Sequence, residues 1–328
     1  MTGTLTVTDD DVERITHRLF LTVGDRHRNL TAFWILLALA SVIASAGVVA
    51  DSTATVIGAM IVAPLMTPIL GTALAIVLAD RRQVGTNLLL VLAASAAVVV
   101  IAYLIGLTVP YEVVASNNSQ VAGRVNPRLI DLLAAVATGL VGAFALLRSD
   151  VSDTLPGVAI AISLVPPLAV VGLTLESGAP DEALGALLLF GTNVAAIIVT
   201  GTVLMLVARL RTSAERAGYA TGRLGGRSLV VVGLSLVVVA VPLAAGSLSV
   251  INDQRVVSRA EPVAQAWADQ EGWRVTDVFV RRGTLHIEAL GSLPEADPDE
   301  LRADLDAAGL EDVTVEVKLV IGGAKTLT

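Results

Sequence analysis

Residues 52–79 read STATVIGAMIVAPLMTPILGTALAIVLA, a run with no charged side chain. These 28 residues would extend roughly 42 Å as a straight helix. That exceeds the roughly 30 Å hydrocarbon core of a bilayer by about 12 Å. The segment must therefore tilt, bend or break. Pro64 and Pro68 mark where, because each lacks a backbone N–H and crowds the carbonyl four residues earlier. Gly58 and Gly71 flank them. Backbone groups freed at membrane depth persist only where protein or a water-filled cavity satisfies them.

The rest of the chain is of the same kind. Of 328 residues, 54% are hydrophobic and only 16% charged, with a mean hydropathy of +0.76. Soluble domains carry roughly 25% charged residues. The expected fold class is a polytopic α-helical membrane protein. Seven spans are predicted, at about 31–50, 52–79, 86–108, 130–147, 156–175, 184–208 and 228–250. Met1 to Asp11 is polar and acidic, so a cleavable signal peptide is not expected before them.

Arginine sets the orientation. Twelve arginines precede span one, follow span four, or lie between spans two and three and between spans six and seven. The alternate loops hold only Arg124 and Arg128. The excess marks the cytoplasmic side. The N-terminus is therefore expected inside and, after seven spans, the C-terminus outside. A net charge of −8 without a large basic cluster argues against nucleic acid as a partner. Cysteine is absent, which removes disulfides, thiolate metal sites and thiol nucleophiles.

Two pieces lie outside the membrane. Within residues 1–30, an amphipathic helix is predicted over about 8–22. Thr8 caps it, Asp9 to Asp11 suit its positive end, and Val12, Ile15, Leu19 and Phe20 share a face. It lies on the inner membrane surface or packs under the bundle. Residues 251–328 form a small α+β domain of order α-β-β-α-β. Its first helix spans about Asp253 to Gln270, with Pro262 a kink or restart. In its first strand, Thr276, Val278 and Val280 form the face expected to be buried. Val313, Val315, Val317 and Leu319 make its last strand. With eight basic and fifteen acidic residues its formal charge is −7, which does not favour anionic headgroups.

An internal repeat is visible. Gly-Thr-Asn occurs at 85–87 and at 191–193. Each copy follows an apolar segment interrupted by proline: Pro64 and Pro68 in one, Pro166 and Pro167 in the other. Taken as three spans used twice (31–108 and 130–208), the unit enters the membrane from opposite sides, an inverted 3+3 repeat of the kind found in secondary transporters. Chance similarity between apolar segments is the competing explanation.

The candidate site lies between the two interrupted segments. Its residues are Gly58, Pro64, Thr67, Pro68, Ser163, Pro166, Pro167 and Asn193, with Asn87, Asp51 and Asp131 secondary. Ordinary structural proline kinks and interhelical hydrogen bonds are the alternative roles. No Lys, Arg, His or Glu lies within a span, so a buried charge relay is not expected. His17, His27 and His286 all fall outside the spans. Catalytic residues, metal and cofactor are therefore not expected, and the chain is not read as an enzyme.

Several motifs also resemble a known family. They are Asp51-Ser52, Val56-Ile57-Gly58-Ala59-Met60, Ala63-Pro64-Leu65-Met66 and Pro68-Ile69-Leu70-Gly71 in the first half. In the second half they are Arg124, Pro127 and Asp131, Leu155 to Ala161, Leu164-Val165-Pro166-Pro167-Leu168, and Asn193. Over about 35–210 the chain resembles the prokaryotic uncharacterised hydrophobic domain family, domain of unknown function 389. The resemblance implies a multi-span prokaryotic protein of the plasma (inner) membrane. It implies no substrate. Two functions stay open: a transporter or channel for a small solute or ion, and a membrane-anchored sensor or scaffold acting through the outer domain. Small residues, among them Gly139, Gly142 and Ala143 in span four and Ala93, Ala94, Ala96 and Ala97 in span three, also raise the expectation of a homo-oligomer.

Overall fold

The structure is a computed structural model that describes residues 8–148, 164–219, 221, 252–281, 283–292 and 297–322. The chain divides into two compact units, Met1–Gly246 and Ser247–Thr328.

The first unit is helical. Helix α1 (Asp9–Leu19) starts in a capping box: the Thr8 hydroxyl accepts from the Asp11 N–H, and the Asp11 carboxylate accepts from the Thr8 N–H. Its apolar face does not float on a surface. Val12, Ile15, Leu19 and the following Phe20 are buried in the main core, so of the two placements expected for this helix the second holds. Helix α2 (Arg26–Val49) is followed by α3 (Thr53–Val62) and α4 (Met66–Leu78). These two are bent 48° at the intervening break. Next come α5 (Arg81–Gly106), the short α6 (Ser119–Val125) and α7 (Leu129–Leu147). They are followed by α8 (Val165–Glu176), α9 (Pro180–Val207) and α10 (Leu210–Arg216).

Among the described residues, four helices are long and apolar enough to cross a membrane: α2, α5, α7 from Ile130, and α9. The bent pair α3–α4 makes a fifth candidate, and α8 is a shorter apolar helix. Of the seven expected spans, the fifth is seen only from residue 164, and the seventh lies outside the described residues.

Small residues set the helix spacing. A Cβ on Gly172 of α8 would collide with the Val99 carbonyl of α5, and one on Gly139 of α7 would meet Ile197 and Thr200 of α9. Gly201 of α9 sits against Leu70 and Ala73 of α4. Close approach through glycine substitutes van der Waals contact for the hydrophobic drive that lipid removes. Gly139, Gly142 and Ala143 are thus buried within this chain, whereas Ala93 and Ala96 of α5 are exposed.

The second unit has the expected α-β-β-α-β order. Helix α11 (residues 252–271) runs through Pro262 without interruption, so the expected restart is absent. Strands β1 (Arg274–Arg281), β2 (Thr284–Gly291) and β3 (Thr314–Ile321) lie in the order β1-β2-β3, antiparallel then parallel. Helix α12 (Pro298–Ala307) precedes β3, capped by Asp297. Leu285, Ile287, Leu301, Leu305 and Trp267 are fully buried in its core. One face differs from expectation. The register slips between Val275 and Asp277, so Thr276 is exposed and donates to the Glu288 carbonyl. Val275 joins Val278 and Val280 against the core instead. A one-residue bulge exchanges the faces of a strand on either side of it.

Candidate functional site

The break between α3 and α4 contains Ala63, Pro64 and Leu65. The Ala63 N–H donates to the Ala59 carbonyl, and Pro64 has no N–H to give Met60. Among the described residues, no backbone donor meets the carbonyls of Met60, Ile61 or Val62. These oxygens stand at the negative end of the α3 dipole. Helix α4 then restarts with Leu65 as its N-cap, without a side-chain cap. Thr67 N–H donates to the Pro64 carbonyl, and Pro68 occupies the third helical position.

Helix α8 begins in the same way. Leu164 is its N-cap, and Pro166 and Pro167 take the second and third positions. The first four N–H groups of a helix have no intrahelical partner. Placing proline there lets a helix start among apolar side chains with fewer orphan donors. Pro68, Pro166 and Pro167 are all buried, and Pro64 and Thr67 are half-buried. Pro68, Pro166 and Pro167 therefore sit at helix starts, and at the α3–α4 break the backbone left in need of partners is carbonyl.

Each proline-led helix packs on the long helix that follows it and on a second long helix. Helix α4 contacts α5 and α9; α8 contacts α9 and α5. Asn193 is buried near the middle of α9.

The structure places the other expected site residues at several points of the first unit. Gly58 lies on the exposed face of α3 with no atom within 4 Å of the position a Cβ would take. Asn87 is buried where α5 meets α4 and α1: a Cβ on Gly71 would lie 2.8 Å from its Oδ1 and 2.9 Å from the Leu19 carbonyl. Its Nδ2 donates to Gln83 O one turn back. Asp51 accepts from the Ser119 hydroxyl at 2.7 Å and the Gln120 N–H at 3.1 Å. Asp131 caps α7 by accepting from the Arg128 N–H. Ser163 lies outside the described residues.

A polar layer at one end of the bundle was not anticipated. Asn118 donates to Val48 O at the end of α2, Gln120 donates to Thr53 Oγ1 at the start of α3, and Arg124 donates back to Gln120. Glu182 accepts from the Ala115 N–H, and Ser177 from the Val113 N–H. Burial holds the Arg124 guanidinium below its ordinary pKa, and the Asp131 carboxylate opposes that shift. The legible signal was Asn118-Ser119-Gln120 ahead of an apolar residue, a helix-start pattern. At the opposite end, Arg14 donates to Leu146 O at the C-terminus of α7 and Arg211 to Val77 O at that of α4. Cations favour such ends.

Long apolar helices, one of them broken between α3 and α4, a second helix led by buried prolines and no cluster of metal-binding side chains among the described residues suggest a membrane protein. Residues 60–199 match the family described as domain of unknown function (DUF389), which bears out the resemblance read from the motifs; they run from the end of α3 to the second half of α9. The chain is also similar to the uncharacterised protein MJ0678 of the archaeon Methanocaldococcus jannaschii, 31% identical over 170 residues. That match covers 52% of each chain, so the sequence spans about half the length of this relative. No solved structure matches the chain.

Proposed function

We propose that this protein is a transporter-like or channel-like component of the plasma (inner) membrane that moves a small solute or ion, and that it is not an enzyme. The observation that carries the reading is the α3–α4 break, where three carbonyls lack backbone donors among the described residues and α4 restarts with the half-buried Thr67 in its first turn. Discontinuous helices of this kind form the substrate sites of many secondary transporters. Because proline removes N–H groups from the starts of α4 and α8 while the carbonyls of Met60, Ile61 and Val62 remain, the site suits a singly charged cation or a hydrogen-bond donor better than an anion.

The reciprocal packing of α4 and α8 supports an inverted 3+3 repeat. The arginine distribution supports seven spans with the N-terminus inside and the C-terminal unit outside. Lipid is the surrounding partner, and the exposed Ala93 and Ala96 of α5 suit a homo-oligomer. The sensor or scaffold reading has one observation in its favour: residues 247–328 form a compact unit with a core of their own.

The test is a thermal-stability and liposome-flux panel of alkali cations, ammonium and small amides on the purified protein. Stabilisation and flux by one class, lost in Thr67→Val and reduced in Asn193→Ala at unchanged expression, is the expected result. No solute-specific response across the panel, with both variants melting like the wild type, would leave the scaffold reading in its place.

A further inference from the structure

Strand β3 is an edge. Among the described residues it pairs only with β2, in unbroken register over all eight positions from Thr314 to Ile321. The opposite edge, β1, carries the bulge at Thr276. Strand β3 has no bulge, proline or glycine, and its sequence TVEVKLVI ends on the exposed Val320 and Ile321. Proteins blunt such edges with bulges, prolines or lysines, because the unpaired N–H and C=O row invites another strand. Lysine occurs once here, at 318, and Glu316 stands two residues before it on the same face.

That spacing makes the strand complementary to itself. We propose that β3 pairs antiparallel with β3 of a second copy about a two-fold axis through Val317, joining two C-terminal sheets into one of six strands. In this register Glu316 faces Lys318 of the second copy, and the pair occurs twice. Val315 faces Leu319, and Thr314 faces Val320. Opposite charges directly across an antiparallel pair stabilise it, and like charges destabilise it.

Side-chain parity fixes the register. Val315, Val317 and Leu319 pack against the helices, and pairing about Val317 keeps these odd positions on one side in both copies. A slip of one residue would set charged positions against apolar ones. Lys318 already donates to Glu288 at 3.0 Å within its own sheet. It would then lie between two carboxylates, Glu288 and the second copy's Glu316. The exposed edge and its one cation are satisfied together. This inference stands independently of what the membrane unit carries.

Charge exchange in the full-length protein tests it. Glu316→Lys makes both cross-strand pairs Lys–Lys, and Lys318→Glu makes both Glu–Glu. Mixing the two variants restores two attractive pairs, in a heterodimer only. With two affinity tags and native mass spectrometry in lipid nanodiscs, the wild type is expected to be dimeric. Each variant alone should lose about tenfold or more in dimer affinity, and the mixture should recover by forming the heterodimer. The mixture also shows that both variants fold. As a second readout, Val317→Cys in this cysteine-free chain should form an intermolecular disulfide on mild oxidation, whereas Thr276→Cys on the other edge should not. A monomeric wild type, variants as dimeric as the wild type, a mixture that stays monomeric, or cross-linking through 276 rather than 317 would each overturn the proposal.

Discussion

Asp51 binds the start of a helix almost seventy residues ahead of it: its carboxylate accepts the Ser119 hydroxyl at 2.7 Å. The same oxygen accepts the Gln120 N–H. Asp51 itself adopts a left-handed backbone, with φ at 48°. Aspartate and asparagine tolerate that geometry better than other non-glycine residues. The contact therefore ties the α2–α3 corner, the entry to the broken helix, to α6.

The pH dependence follows. The Ser119 hydroxyl, with the Gln120 amide, holds the Asp51 carboxyl below the ordinary carboxylate range against a smaller desolvation effect. A depressed pKa contributes stability that is present above the unfolded value of about 3.9. That stability is lost as pH falls through the folded value. Asp51→Asn keeps the backbone geometry and removes the charge. It is expected to melt below the wild type at pH 7, with the two melting curves converging below about pH 4. Curves that stay equally separated at acid pH would place the effect in something other than the carboxylate.

Gly172 gives a second expectation. A Cβ there would meet the Val99 carbonyl, lie 2.6 Å from Ala102 Cβ and 2.8 Å from Tyr103 N. Backbone cannot yield as a side-chain tip can, so Gly172→Ala should cost about 1–3 kcal/mol by forcing α8 from α5. Gly58→Ala, on an open face, should leave the melting temperature unchanged or raise it slightly through helix propensity. Detergent melting curves of the two variants read the difference directly.

Arg14 shares one nitrogen between Asp11 at 3.0 Å and the Leu146 carbonyl at 3.1 Å. A hydrogen bond to a charged group contributes about 1.5–3 kcal/mol, reduced here because the side chain is 34% exposed. Arg14→Ala is expected to cost about 1 kcal/mol and to loosen α1. Limited proteolysis after residue 19 should then quicken, while cleavage within residues 252–322 stays at its wild-type rate.

What the sequence revealed, and what it hid, divides along physical lines. The break in residues 52–79 was legible because length and proline are local properties. Thr8 as a cap and the α-β-β-α-β order were legible for the same reason. Thr276 was misplaced because a bulge depends on the partner strand, and alternation along one strand does not report it. Asp51 and Asp131 looked like site candidates because charges near a membrane span are scarce. In the structure Asp51 accepts from Ser119 and Asp131 from the Arg128 N–H, contacts that need the partner segments to be placed. Gly139 and Gly142 fitted either a homo-oligomer or the chain's own core, and nothing short of the α7–α9 contact could separate the two.

Pro64 offers the sharpest link between sequence and mechanism. Its ring denies Met60 a donor, and the helix restarts only at Met66 after a 48° bend. Pro64→Ala restores an N–H at that position. If proline imposes the break, Met60, Ile61 and Val62 regain helical partners and α3 becomes continuous with α4. Straightening removes the 48° bend and should change the distance from Thr53 to Ala79 towards the roughly 39 Å of a continuous helix. Spin labels on cysteines placed at Thr53 and Ala79, in a chain with no cysteine of its own, report that distance. The straightened variant should fold, melt at or above the wild-type temperature, and lose any solute-specific stabilisation or flux, because the carbonyls it needs are now taken. An unchanged distance would show that packing of α4 against α5 and α9, rather than the proline, dictates the bend. A straightened helix that kept full flux would remove the break from the proposed transport pathway.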